Sequence, residues 1–183
     1  FRSVAALKGD AAIAASHWTG PVESFTDLSL DGITLVIDAL FGAGLSKPLE
    51  TSLVQVLKGL EAAGLPIIAI DLPSGLSGDT ARPIGDYAPV CAATITFHRK
   101  KPAHVLTTGR QYCGEVILAD IGLLPGLAEV RENTTALWQA QMPWPGPLVH
   151  KHARGRMMVV SGPAWSTGAA RLAARVRSEE HTS

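Results

Sequence analysis

The feature that most constrains this chain is a pair of short apolar runs, each closing on an aspartate. Ile33-Thr34-Leu35-Val36-Ile37-Asp38 and Ile67-Ile68-Ala69-Ile70-Asp71 are rich in β-branched residues and become acidic only at their ends. A strand with one wet face alternates apolar and polar residues. A near-continuous apolar run of this length reads instead as a strand covered on both faces, as in a parallel sheet. Between the runs, Leu53, Val56, Leu57 and Leu60 recur at three- and four-residue intervals, the period of a helix with one buried face. Glu50 falls in its first turn, Gly64 just past its end and Pro66 beyond, the expected punctuation of a helix. Strand, loop, helix and strand in this order predict a βαβ crossover.

The remaining chain extends this pattern. Val4 to Ser16 predicts a helix with Leu7, Ala11, Ala14 and Ala15 on one face, weakened at Gly9, before Gly20-Pro21 breaks it. Ala93 to His98 and Glu115 to Asp120 predict two further strands, with Gly109 and Gly114 interrupting the segment between them. Leu124 to Trp144 carries weak periodicity and runs into the proline-rich stretch from Met142 to Pro147, which reads as a linker. Beyond it, a strand over Arg156 to Ser161, a turn at Gly162-Pro163 and an alanine-rich helix over Thr167 to Val176 suggest the start of a second α/β domain. The polar heptapeptide Arg177 to Ser183 continues none of this. It is what translation of a common sequencing-adapter oligonucleotide would produce, so it is read as a non-native tail.

Composition narrows the class. Hydrophobic residues make up 46% of the 183 and charged residues 17%, enough apolar material for a packed core. Sixteen basic side chains balance sixteen acidic ones, which leaves no electrostatic footprint for nucleic acid or an anionic membrane. No apolar stretch approaches the roughly 20 residues needed to cross a bilayer. Two cysteines, Cys91 and Cys113, without a CxxC pair, make neither a disulfide framework nor a zinc site. They read as reduced thiols in a cytoplasmic α/β enzyme.

Ligands of open α/β sheets bind outside the carboxyl ends of the strands, so Asp38 and Asp71 should face one crevice. Each is followed by a glycine-containing loop, Ala39 to Gly44 and Leu72 to Gly75, whose backbone N–H groups could approach a phosphate. On spacing alone, a strand-end aspartate reads equally well as a loop residue accepting backbone hydrogen bonds. The basic run from His98 to Lys101 reads as a solvated loop, with Lys101 near the crevice mouth. His150, Lys151 and His152 lack a third metal ligand.

Taken together, Asp38 to Leu45, Asp71 to Leu76, Ala93 to Phe97 with Lys101-Pro102, and Gly114-Glu115-Val116 resemble the NAD(P)H-hydrate epimerase (YjeF N-terminal) family. His150-Lys151, Arg154-Gly155-Arg156 and Ser166 to Ala170 resemble the opening of the ADP-dependent NAD(P)H-hydrate dehydratase often fused behind it. The implied organisation is an amino-terminally truncated epimerase domain over 1–140, a linker over 141–149, the start of the dehydratase over 150–176 and the tail over 177–183. The implied fold is a Rossmann-like three-layer sandwich on a mostly parallel sheet with its first strand missing, followed by the truncated start of a ribokinase-like α/β domain. The implied activity interconverts the R and S forms of the hydrated cofactors NADHX and NADPHX. The parent would also dehydrate the S form using ADP or ATP.

Residue by residue, the resemblance makes Asp38 and Ser74 ligands of a potassium ion. It places Gly42, Ala43, Gly44, Leu45, Ser46, Lys47 and Pro48 in the substrate-holding loop, and Asp71 on the substrate. Epimerising a carbon that bears a hydroxyl beside nitrogen needs proton transfer, and Asp71 is the carboxylate suited to it. The family's Asn-Asn-Gly-Gly-Asp type loop and the strand before it are not found here. A polypeptide of this sequence alone is therefore expected to fold and bind poorly. The small-molecule substrate is the expected partner, and a homo-oligomer stays open. A rival from another class is a non-catalytic YjeF-like scaffold, as used in an mRNA-decapping factor; Asp38, Asp71 and Ser74 together favour the enzyme.

Overall fold

The computed structural model describes residues 4–25, 28–124, 126–142, 144, 146–150, 156 and 158–178. The chain divides into two units, residues 1–129 and 130–183. The first holds a four-stranded sheet in the order β1 (Val36–Asp38), β2 (Ile67–Ile70), β3 (Ala93–Phe97), β4 (Glu115–Ala119), parallel throughout. Before it lies α1 (Asp10–Ser16), and between β1 and β2 runs α2 (Thr51–Ala62). Two short helices, α3 (Pro102–Val105) and α4 (Thr107–Cys113), join β3 to β4.

The βαβ crossover forms where the apolar periodicity puts it. Leu53, Leu57 and Leu60 of α2 are buried against Ile67 and Ala69 of β2 and against Cys91. Each such leucine stabilises by roughly 1.5–3 kcal/mol. That matters because a helix of this length is marginal without packing. Glu61, near the end of α2, accepts hydrogen bonds from the Tyr87 hydroxyl (2.5 Å) and the Val90 N–H (2.8 Å), and Lys58 lies 5.2 Å from the centre of the Tyr87 ring. Burial, then the Glu61 carboxylate, pushes the Tyr87 phenol up from its ordinary value. This polar clamp ties the helix to the segment entering β3.

Several expectations are corrected. The first run is a strand only from Val36, because Ile33 donates to the Leu30 carbonyl in a turn instead. The amino-terminal helix is split: Val4–Ala6 is a 3₁₀ turn and α1 begins after Gly9, whose φ of 60° is not helical. The helices α3 and α4 were not legible, since Gly109 and the polar residues of Thr107 to Gln111 show no apolar period. Gly114, at φ 59°, joins α4 to β4 where a Cβ would stand 2.3 Å from the Ala92 carbonyl oxygen; the close approach excludes any other residue.

The expected third layer is likewise absent among the described residues. Register puts Asp38, Ala69, Thr94 and Val116 in one row on one face, and α2, α3 and α4 cover that face. Thr94 donates to the Cys113 carbonyl at 2.7 Å across this interface. The opposite face carries Ile37, Ile70, Ile95 and Ile117, with Ile37 63% and Ile117 46% exposed. No residue of α1 is buried, so it contributes no second helical layer.

In the second unit, α5 (Thr135–Trp138) and α6 (Gly168–Ser178) form, with 3₁₀ turns at Gln139–Gln141 and Ala164–Ser166. The alanine-rich helix is as the sequence suggests. The strand over Arg156 to Ser161 is not formed in its described residues, Met157 lying outside them. A lone strand has no ladder to satisfy its backbone. None of the unit's described residues is buried. Lys151, His152 and Arg154-Gly155, on which the dehydratase resemblance partly rests, lie outside the described residues.

Candidate functional site

Register fixes where the two aspartates meet. Asp38 pairs with Ala69, so Asp71, the first residue past β2, follows two positions on at the carboxyl rim, and its carboxylate meets Thr96 on the buried face of β3. The loops that follow then cross. The loop after β2 brings Ser74 under Asp38, and the loop after β1 brings Ala43 over Asp71.

Asp38 is buried, 2% exposed, and Ser74 is fully buried. The Ser74 hydroxyl donates to Asp38 Oδ1 at 2.6 Å, the Ser74 N–H to Oδ2 at 2.8 Å, and the Leu40 N–H to Oδ1 at 3.3 Å. Ser74 Oγ in turn accepts from the Phe41 N–H at 3.1 Å. Four donors are thus satisfied at one corner, yet no Lys or Arg pairs with this carboxylate among the described residues. Its lone-pair capacity and that of Ser74 Oγ are not exhausted. A carboxylate and a hydroxyl oxygen side by side, with no lysine or arginine against them among the described residues, have the right donor chemistry for an alkali cation. The described residues hold no cluster of three or more His, Cys, Asp or Glu, so a transition-metal centre has no ligand set there.

Asp71 stands differently. It has φ 71°, a left-handed backbone that a non-glycine residue adopts at a cost of roughly 1–2 kcal/mol. Its Oδ2 accepts from the Ala43 N–H at 3.0 Å, while Oδ1 accepts from Lys101 Nζ at 2.5 Å and Thr96 Oγ1 at 3.1 Å. Burial by itself would raise its pKa; Lys101, the Ala43 N–H and Thr96 together outweigh that and hold the carboxyl below its ordinary value. Gly42 gives this carboxylate room: a Cβ there would stand 2.7 Å from Asp71 Oδ2, and the carboxylate would have to shift. Lys101 also donates to Thr96 Oγ1 at 2.9 Å. The solvated-loop reading of Lys101 is therefore wrong: its side chain, about three-quarters buried, is the counter-ion of Asp71.

A cleft of about 700 Å³ opens beside this corner. It is lined by Gly42, Gly44, Leu45, Ser46, Lys47 and Pro48 of the expected substrate loop, with Leu40, Phe41, Leu49, Glu50 and Leu53 behind them. Ala43 and Asp71 are outside that lining; Ala43 joins the loop to Asp71 through its N–H. The two cysteines take no part. Both are free and buried, and burial pushes Cys91 up to about 12 and Cys113 up to about 11, so neither is a thiolate near neutrality.

Two functional neighbours escaped the sequence reading, Thr96 and His104. Thr94 and Thr96 both sit on the buried face of β3, and that polar pair within an apolar strand was the available signal for Thr96. His104 is three residues from Lys101 across Pro102, a spacing that becomes meaningful only once α3 is known to be a helix.

An open parallel sheet with paired carboxylates and a glycine-bearing loop at its carboxyl rim defines an α/β ligand-binding or catalytic domain of the Rossmann-like class. Residues 5–103, more than half of the chain, match the family described as YjeF-related protein N-terminus, and the chain belongs to that family. It is similar to the bifunctional NAD(P)H-hydrate repair enzyme Nnr of Mycobacterium tuberculosis, 37% identical over 138 residues, which are 75% of this chain and 28% of the relative. It is similar to the enzyme of that name from Moorella thermoacetica, 35% identical over 155 residues, 81% of this chain and 29% of the relative. It is also similar to the NAD(P)H-hydrate epimerase of Limosilactobacillus fermentum, 40% identical over 100 residues, 55% of this chain and 47% of the relative. The chain spans less than half the length of each of these relatives.

Proposed function

We propose that this chain supplies the epimerising domain of a nicotinamide-cofactor repair enzyme, interconverting the R and S forms of NADHX and NADPHX. The observation that carries the reading is the Asp71 carboxylate, ionised by its Lys101 partner and bonded to the loop that lines the cleft. Asp71 enters the cycle ionised and able to accept a proton. It takes the hydroxyl proton as the bond from the hydroxyl-bearing carbon to the ring nitrogen breaks, leaving an aldehyde and a nitrogen that takes up a proton. Ring closure on the other face of the carbonyl reverses both transfers. The ammonium of Lys101 offsets the charge of Asp71 before the transfer. Gly42 to Pro48, with Lys47 among them, would hold the substrate, and Asp38 and Ser74 would hold potassium. That ion would supply positive charge between two carboxylates and an incoming diphosphate. The names of the relatives support the substrate class.

The parent is proposed to carry the ADP- or ATP-dependent dehydratase as well. Support comes from the relatives named bifunctional NAD(P)H-hydrate repair enzymes. No helix among the described residues is long and apolar enough to cross a membrane. A cytoplasmic site of action accords with the cofactors it would repair. The scaffold alternative is disfavoured because a binding module needs no strained, ion-paired aspartate at its rim.

The deciding experiment incubates the full-length protein with a single NADHX epimer and follows the two by chiral chromatography. Epimerisation well above the spontaneous rate, lost in Asp71→Asn, is expected. Spontaneous-rate behaviour of the wild-type protein would overturn the proposal.

A further inference from the structure

We infer that His104 is a positioning residue, one imidazole that ties together the backbones of both members of the Asp71–Lys101 ion pair. This rests on the reading of Asp71 as the acid/base group. The His104 ring is buried, 3% exposed, and its two nitrogens have different neighbours. Nδ1 faces the Lys101 N–H at 2.9 Å, so it must be an acceptor and carries no proton. Nε2 faces the Asp71 carbonyl oxygen at 2.9 Å, so it must carry the proton and donate. The network admits one state of the ring, the neutral Nε2–H tautomer. Burial, the larger influence, and the cations of Lys101 and Lys100 act against protonation, outweighing the Asp71 carbonyl and carboxylate that favour it.

The consequence falls on geometry. Asp71 adopts a left-handed backbone between two anchors, its own N–H donating to the Ile95 carbonyl at 2.7 Å and its carbonyl receiving the imidazole. Releasing the carbonyl would let the residue relax toward the ordinary β region, turning the carboxylate away from Ala43. The other arm holds the residue before Pro102 in place and reproduces half of a capping box, in which the third helical side chain accepts from the N-cap N–H. One side chain thereby sets the separation of acid/base group and counter-ion without reaching the cleft itself.

Two substitutions separate the arms. In His104→Asn the amide oxygen stands where Nδ1 was, keeping the Lys101 arm and losing the Asp71 arm. In His104→Gln the amide nitrogen stands where Nε2 was, keeping the Asp71 arm. For NADHX epimerisation by the full-length protein, kcat is expected to fall at least about tenfold in His104→Asn with KM nearly unchanged. In His104→Gln, kcat is expected to stay within about threefold of wild type. Hydrogen–deuterium exchange supplies a readout that needs no activity: amides of Asp71 and Leu72 should exchange at least about tenfold faster in His104→Asn and not in His104→Gln, with α2 unaffected in both. Equal behaviour of the two variants, or wild-type exchange at Asp71 and Leu72 in His104→Asn, overturns the inference. Should the wild-type protein epimerise nothing, the proposed function fails and the exchange result alone decides the role of His104.

Discussion

Asp38 and Asp71 end neighbouring strands of one sheet and point to the same face, yet their surroundings are opposite. Asp38 lies in a closed corner, almost without exposure, held by two backbone N–H groups and a serine hydroxyl, with no lysine or arginine paired to it among the described residues. Asp71 lies in an open corner, one-fifth exposed, on a strained backbone, with an ammonium group against one oxygen. The closed corner has the features of a structural and ion-holding element. The open one has those of a working carboxylate, since an ionised, partly accessible group can exchange a proton with a ligand. The difference teaches that strand-end position alone does not assign a role; what crosses over from the next loop does.

The sharpest way to break this comparison is to exchange the roles by mutation. Asp71→Asn should lower epimerisation by about 10²–10⁴-fold, because acid–base groups contribute on that scale. It should cost less stability than Asp38→Ala, since Lys101 keeps its contact with Thr96 and part of its solvent exposure. A large loss of stability with retained turnover would reverse the assignment of the two corners. Asp38→Ala should instead destabilise by about 3 kcal/mol, read by urea denaturation, because it strands the Ser74 N–H, Ser74 hydroxyl and Leu40 N–H. Ser74→Ala is expected to cost about 1–2 kcal/mol, removing one donor to Asp38 and the acceptor of the Phe41 N–H.

The comparison sharpens with ions. Potassium chloride should raise the melting temperature relative to an equal concentration of a bulky organic-cation chloride, and Ser74→Ala should abolish the difference, since a ligand that binds only the native state stabilises by mass action. Equal melting in both salts would remove the cation from the closed corner.

The smallest expected effects are in pH. The Asp71 pKa is depressed, so its contribution is complete above the ordinary carboxylate value near about 4 and is lost as pH falls through the folded value. The His104 pKa is also depressed, but for a base this means the unfolded chain takes up the proton first. Its contribution is complete above about pH 6.5 and declines as pH falls toward the folded value. Wild-type stability should therefore decline as pH falls below about 6.5, and the decline should be shallower in His104→Gln. Parallel curves would show that the ring is not buried neutral.

Much of the frame was legible. The runs ending at Asp38 and Asp71, and the leucine spacing of α2, announced the crossover because apolar periodicity is a local consequence of which face is buried. The amino-terminal helix was half legible, since Gly9 marks a break without saying where the helix resumes. The strand expected at Arg156 failed because a strand needs a partner, and local sequence cannot supply one. At the site, Gly42 and Gly44 to Pro48 line the cleft, whereas the pairing of Lys101 with Asp71 and the part of His104 were missed. Lys101 caps and His104 belongs to α3, a helix of four residues too short to show a period.

The amino-acid order by itself determined the alternation of strands and helices, the placement of two carboxylates at strand ends and the glycine that permits Asp71 Oδ2 to approach the loop. Those are matters of side-chain chemistry and backbone freedom within a few residues. Only the tertiary structure decided which carboxylate acquired a cation and which a serine. That choice depended on parallel register and on loops crossing between strands, joining residues some thirty positions apart, and no local pattern encodes such contacts.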